Sequence, residues 1–487
     1  MIDSRAAQFV VNRGQIHMEK LRMSRLTVLC VLLLLSASTA ALAQSPCPTQ
    51  EIQGSAAKRS SDLVCVVPQV YGPGGLVGTD NGGPLTSTKF HEVHFQASSI
   101  NSFGPINAEI GVQLSQVPLA SPVSGFIFAN GVMQEATSFG PVLADRAETL
   151  GKRRIFVGAS YEYFDFDKAD SVNLKSFGAV FQHEAEPTIC ATIPTTPCLH
   201  GEPIYTNDIV ATQNRIDIKV HQVTMVGTYG LSDKLDVSVA LPVVNVRVGM
   251  SSNATIFNFE PPPVNHTFAP ITDNPRETYI SPFNAILTNS QSSTGIGDLR
   301  LRGKYIAWRD AKERSAVAVG LDLRLPTGDA YNFLGSGTWG LRPFIIYSYS
   351  ARVSPHASAG FEGNGNSILA GTVTSQPVTK AQLPNVFTYS AGADASIRRW
   401  VGLSGDFIGT SLLNASRIEN STFTDFKGHT HANVNTFTST VNQANISLGA
   451  KVRPVARLLI TGNVLFRLND AGLHFKPSPL VGVSYVF

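Results

Sequence analysis

The sequence predicts an all-β chain, a transmembrane antiparallel β-barrel of the outer-membrane type with about 12–14 strands. Three observations predict it. Residues 477–487 form an apolar alternating strand that stops on an aromatic. A secretory signal lies near the other end. Between them, segments of roughly ten residues alternate apolar and polar side chains, the pattern of strands with one face to lipid and one to a lumen.

In chain order, Lys20, Arg22 and Arg25 make a basic region, and residues 26–35 an apolar core with Thr27 as its polar member. Small residues follow, ending at Ala41, Leu42 and Ala43, so cleavage is expected between Ala43 and Gln44. The apolar run is about half of the roughly 20 residues a spanning helix needs. Residues 1–17 lack signal character, which predicts Met18 or Met23 as the start. Residues 1–43 are thus read as an upstream extension plus signal peptide. No later apolar run is long enough for a membrane helix, so any insertion must use strands closed on themselves.

Residues 44–104 are rich in Gly, Pro and Ser and lack sustained periodicity. They are either a periplasmic tail or a plug within the lumen. Four cysteines remain after the signal. Cys190 and Cys198 share a Pro/Thr-rich loop and are expected to pair; Cys47 with Cys65 is the second pairing. Neither pair has C-x-x-C spacing, which argues against redox or zinc chemistry.

Residues 105–487 are read as the barrel. In 315–325, Val317, Val319, Leu321, Leu323 and Leu325 point one way, and Ala316, Ala318, Gly320, Asp322 and Arg324 the other. Segment 457–469 alternates likewise, as do Asp298, Arg300, Arg302 and Lys304 against Leu299, Leu301 and Tyr305. Asp217, Lys219 and His221 alternate with Ile216, Ile218 and Val220. Segments 106–114, 122–132 and 153–164 alternate too, the first with no clear place in the barrel. Short connections near 231–234, 309–314, 352–355, 397–400 and 453–457 alternate with long polar ones at 184–211, 251–293, 327–337, 363–382 and 411–440. Outer-membrane barrels have short periplasmic turns and long outer loops, which puts the carboxyl terminus in the periplasm. Trp308, Tyr347, Tyr349 and Trp400 lie beside the short turns, as an interfacial aromatic girdle requires.

Charged residues make up 15% of the chain, against roughly 25% in soluble domains. A net charge of +3, dispersed along the chain, excludes nucleic acid as a partner. The run GSGTWG (335–340) matches a dinucleotide fingerprint but lacks the strand–turn–helix context that motif needs. His91 and His94 fall one residue short of a zincin motif, and His429 and His431 read as solvated loop histidines. No nucleophile elbow occurs. The chain is expected to be no enzyme and to hold no cofactor or metal.

The runs GIGDL (295–299) and LPTGD (325–329), with the aromatic strand 158–168, resemble the MetA-pathway of phenol degradation family of outer-membrane proteins. The likeness spans roughly residues 149–487. It implies a barrel that moves aromatic or other hydrophobic small molecules. Read as residues, Pro326 ends a strand because it has no N–H, and the following residues turn the chain outward.

Lumen-lining candidates are Asp217, Lys219, Asp236, Asp298, Arg300, Arg302, Lys304, Asp322, Arg324, Asp406, Lys451 and Arg467. They would either line a water-filled pore or brace a closed barrel through ion pairs. Val481, Val483, Tyr485 and Phe487 are the expected signal to the barrel-assembly machinery. The expected partners are that machinery, the outer-membrane lipid bilayer and a small-molecule solute. Two functions fit: passive uptake of small molecules, or a non-transporting surface or structural barrel acting through its outer loops.

Overall fold

Twelve strands pair each with the next, and the last returns to the first. In the computed structural model they are β1 (Ile155–Ala169), β2 (Ile209–Gly230), β3 (Leu235–Phe257) and β4, in two pieces (Asn284–Ile296 and Leu299–Arg309). Then follow β5 (Ser315–Leu325), β6 (Gly340–Tyr349), β7 (Val353–Asn364) and β8 (Asn385–Arg398). The last are β9 (Val401–Thr424), β10 (Thr430–Val452), β11 (Leu458–Arg467) and β12 (Ser478–Val486). Both pieces of β4 pair with β3, Asn284 to Ile296 against Thr255 to Val243 and Arg300 to Tyr305 against Ala240 to Leu235, so they are one interrupted strand. Closure is antiparallel, Leu480 opposite Glu162 and Val486 opposite Phe156, and the Phe487 N–H donates to the Ile155 carbonyl at 2.8 Å. Closure satisfies every edge, which lets strands cross a bilayer.

The structure describes residues 47, 59–72, 75–76, 78–80, 95–116, 126–129, 132–135, 145–183, 207–259, 266–268, 277–281, 283–374, 378–398, 400–455 and 457–487. The expected cleavage site at Ala43 and Gln44, the pair Cys190 and Cys198, and His91 and His94 lie outside them. Residues Ser45–Phe487 form one compact unit. No helix among the described residues is long and apolar enough to cross a membrane.

The outer surface is apolar around the barrel wall. Val157, Met225, Val239, Leu321, Ile345, Leu403, Leu448, Val481 and Val483 are all exposed there. Tyr229, Tyr305, Trp308, Tyr347 and Trp400 are exposed near the short turns, giving the aromatic girdle. Strands β2, β3, β9 and β10 run 22, 23, 24 and 23 residues, about twice the 9–11 needed to span. They continue beyond the bilayer on the long-loop side. Residues 411–440, expected as a loop, are therefore a protruding hairpin whose pairing runs to Thr424 opposite Thr430.

The interior is filled. Cys47 is disulfide-bonded to Cys65, and the buried run from Leu63 to Tyr71 packs with Phe103, Ile106 and Ile110 against Phe164, Phe166, Ile216, Ile218, Val246, Val248 and Leu412 of the strands. Of the two readings for the segment before the barrel, the described parts take the plug. Asn289 donates from Nδ2 to the Val66 carbonyl at 3.0 Å, and Gln291 from Nε2 to the Ser60 carbonyl at 2.6 Å. The plug carries helix α1 (Gln96–Leu114), with Pro105 inside it. Segment 106–114, which alternates like a strand, is the second half of this helix. Enclosed by barrel on every side, it buries residues all round and loses the 3.6-residue stripe that marks a surface helix. Residues 126–129 and 132–135 pair only with each other, outside the barrel sheet.

Candidate functional site

The inner wall has two chemistries. Its outer half, against the plug, is mostly apolar; its inner half holds most of the charges. This places Asp217 and Lys219 on the outside, a correction to their expected lumen position. On β2 the inward residues are Ile216, Ile218, Val220 and Gln222, all buried. The greasy face is inward because the plug covers it, and the polar face is outward because this part of β2 rises beyond the membrane. There Asp217 pairs with Lys175 at 2.7 Å and with Arg215 at 2.9 Å.

The other ten candidates face inward. At the short-turn end the chain enters as a strap, residues 145–150, bound along its length. Lys304 donates from Nζ to the carbonyls of Arg146 (2.9 Å) and Glu148 (2.6 Å), and the Leu150 N–H donates to Asp236 Oδ2 at 2.9 Å. Arg302 bonds Asp145 and lies 2.6 Å from Asp322, which also pairs with Arg342. Asp406 Oδ1 lies 2.7 Å from His356 Nε2 and accepts from it when that nitrogen carries the proton, and Lys451 is buried nearby. Arg467 reaches the Ala471 carbonyl at 2.6 Å and lies over the Phe475 ring.

Asp298 interrupts β4 and organises the loop between β5 and β6. Its Oδ1 accepts from the Gly328 N–H at 3.1 Å and its Oδ2 from the Ser336 N–H at 2.8 Å. Thr327 Oγ1 donates to the Gly297 carbonyl at 2.7 Å and accepts from the Leu299 N–H at 2.9 Å. GIGDL, LPTGD and GSGTWG are thus one device, three stretches of chain joined at one carboxylate. A Cβ on Gly335 would stand 2.3 Å from Asp298 Oδ1, so that glycine is required. The loop folds into the lumen and delivers Phe333, held at φ 54°, and Leu334. A positive φ is unusual for a bulky residue and aims the ring inward. There Phe333 meets α1, where a Cβ on Gly111 would lie 3.0 Å from the ring.

Beside the plug a cavity of about 50 Å³ remains, lined by Leu114 of α1 and Ser115 just after it, Val220, Pro242, Val244 and Val246 of the wall, Phe333 and Leu334, and Asp298, Arg300 and Arg324. Arg324 pairs with Glu362 at 3.0 Å and Arg300 with the same carboxylate at 3.6 Å. Sequence reading missed Glu362, Arg342 and the strap. The first two sit at inward even positions of β6 and β7, where Pro343 and Pro355 obscure the alternation; the strap carries no periodic signal. Among the described residues no group of three or more His, Cys, Asp or Glu is arranged to hold a metal ion.

The sequence pattern of the family described as MetA-pathway of phenol degradation matches residues 206–453, just over half of the 487 residues. The chain belongs to this family. With its closed strands, apolar exterior and aromatic girdle, it is a bacterial outer-membrane barrel. The COG4313 outer membrane channel from Pseudomonas putida F1 is similar at 11% identity and TM-score 0.41, covering 71% of this chain and 100% of that one. A Pseudomonas aeruginosa FadL homologue matches at 10% identity and TM-score 0.29 over 69% of this chain and 90% of its own. The Pseudomonas putida toluene transporter TodX matches at 8% and 0.30 over 70% and 91%. Likeness at this level carries neither substrate nor residue roles across. No curated protein has a matching sequence.

Proposed function

We propose that this barrel is a passive channel of the outer membrane for small molecules of apolar or aromatic character. The observation that supports it is the mid-barrel cavity, which has an apolar wall and guanidinium groups, beside the plug and the loop that carries Phe333 and Leu334. A brace would need no such space; a path for solutes passes through it once the plug or strap shifts. The test is uptake of labelled toluene and phenol by proteoliposomes with a lipopolysaccharide outer leaflet, which slows unassisted entry. Faster uptake than in protein-free vesicles is the expected result, and equal rates for every solute tried would overturn the reading.

Assembly follows the same logic. Val481, Val483 and Phe487 point outward from the closing strand, and this supports their recognition by the barrel-assembly machinery. Deleting Phe487 is expected to lower the yield of heat-modifiable barrel in outer-membrane fractions, and an unchanged yield would exclude that role.

A further inference from the structure

Arg300 and Arg324 face the mid-barrel cavity, and Arg324 has more donors than hydrogen-bond partners. Arg324 is 2% exposed. Its Nη2 donates to Asn364 Oδ1 at 2.7 Å, but Nε and Nη1 make no hydrogen bond, although Nη1 stands 3.0 Å from Glu362 Oε1. Asp298, 3.7 Å from Arg324 Nε, has both oxygens engaged by loop donors at Gly328 and Ser336. Glu362 is therefore the one carboxylate shared by Arg300 and Arg324, at 3.6 and 3.0 Å. Buried guanidinium N–H groups left without acceptors are costly, and a planar fork of donors matches a carboxylate. Opposite them the lining is apolar: Leu114, Val220, Val244, Val246, Phe333 and Leu334.

From this we infer that the cavity is a binding subsite for a monocarboxylate with an apolar tail. The carboxylate sits against Arg300 and Arg324, and the tail lies along Val220, Val244 and Val246. A space of about 50 Å³ takes the carboxylate and the first carbons of the tail. The inference names a substrate class for the transport reading and rests on that reading for its biological meaning, but the binding it requires is measured without transport. The two ideas fail separately.

The experiment is calorimetric titration of sodium butyrate into the full-length protein in detergent, at neutral pH against matched sodium chloride, with 1-butanol as the neutral counterpart. Saturable butyrate binding, with none for butanol, is expected. R300Q, at the more exposed arginine, should weaken it by about tenfold, the loss of one charge-assisted contact. V244F should remove it by filling the cavity. Each variant is first checked for heat-modifiable mobility, and R324Q is added where it assembles. Absence of saturable butyrate binding, equal binding of butanol, or unchanged affinity in R300Q overturns the inference. Loss in R300Q with full binding in V244F overturns its placement in this cavity.

Discussion

Asp298 shows how one side chain can set a loop. It receives two backbone N–H groups from distant stretches of chain, and the Ser336 amide it serves is buried. Replacing it leaves those donors without an acceptor, so Asp298→Ala should cost roughly 3 kcal/mol, while Asp298→Asn, which keeps an acceptor, should cost less. The temperature at which the barrel loses its compact gel mobility measures both. Of the candidate site, residue types and most facings were legible: ten of the twelve candidates lie on the inner face. Asp217 and Lys219 do not, because polarity reports what a face touches, and on β2 the inner face touches the plug.

At the scale of elements, strands were readable wherever one face met lipid and the other a charge. On β5, Gly320 lies beneath Phe344 of β6, and the Phe344 ring is flanked by the guanidiniums of Arg302 at 5.0 Å and Arg342 at 5.7 Å. A Cβ on Gly320 would come within 2.2 Å of that ring and 2.5 Å of the Gly303 carbonyl oxygen. Gly320→Val is therefore expected to displace the ring and destabilise the barrel by about 1–3 kcal/mol, read by the same mobility assay. Helix α1 was not readable, since enclosure erased its stripe. It carries Glu109, fully buried; burial, and then the nearby Asp170, push its carboxyl well above the usual range. A raised value in the folded state means the stabilisation is complete below the usual carboxylate range and is lost as pH rises through the raised value. Plug docking, followed by protease cleavage within residues 45–114, should loosen as pH rises, and Glu109→Gln should flatten that dependence.

For the whole molecule, plug and strap occupy the two ends of the lumen, so permeation depends on whether they move. Gln113 of α1 and Gln443 of β10 are hydrogen-bonded at 2.8 Å, which brings plug and wall within reach of a cross-link. Cysteines at both positions, oxidised, should lower bilayer conductance at least about tenfold if plug displacement opens the path. A reductant should restore it, judged against the unmodified protein in the same reductant. Conductance indifferent to the cross-link would assign the path elsewhere, with the strap as the alternative gate.

The amino-acid sequence by itself determined the membrane-facing half of this protein: strand alternation, short and long connections, the aromatic girdle and the terminal strand. Those features are local, because lipid imposes one uniform apolar surface and a period-two backbone must answer it residue by residue. Tertiary structure alone decided what fills the barrel. Whether the described parts of residues 44–104 lie in the lumen, which face of β2 is inside, and which stretches meet at Asp298 all depend on contacts between segments far apart in the chain. No local pattern encodes such contacts, since a buried side chain answers to its spatial neighbour and not to its neighbour in sequence.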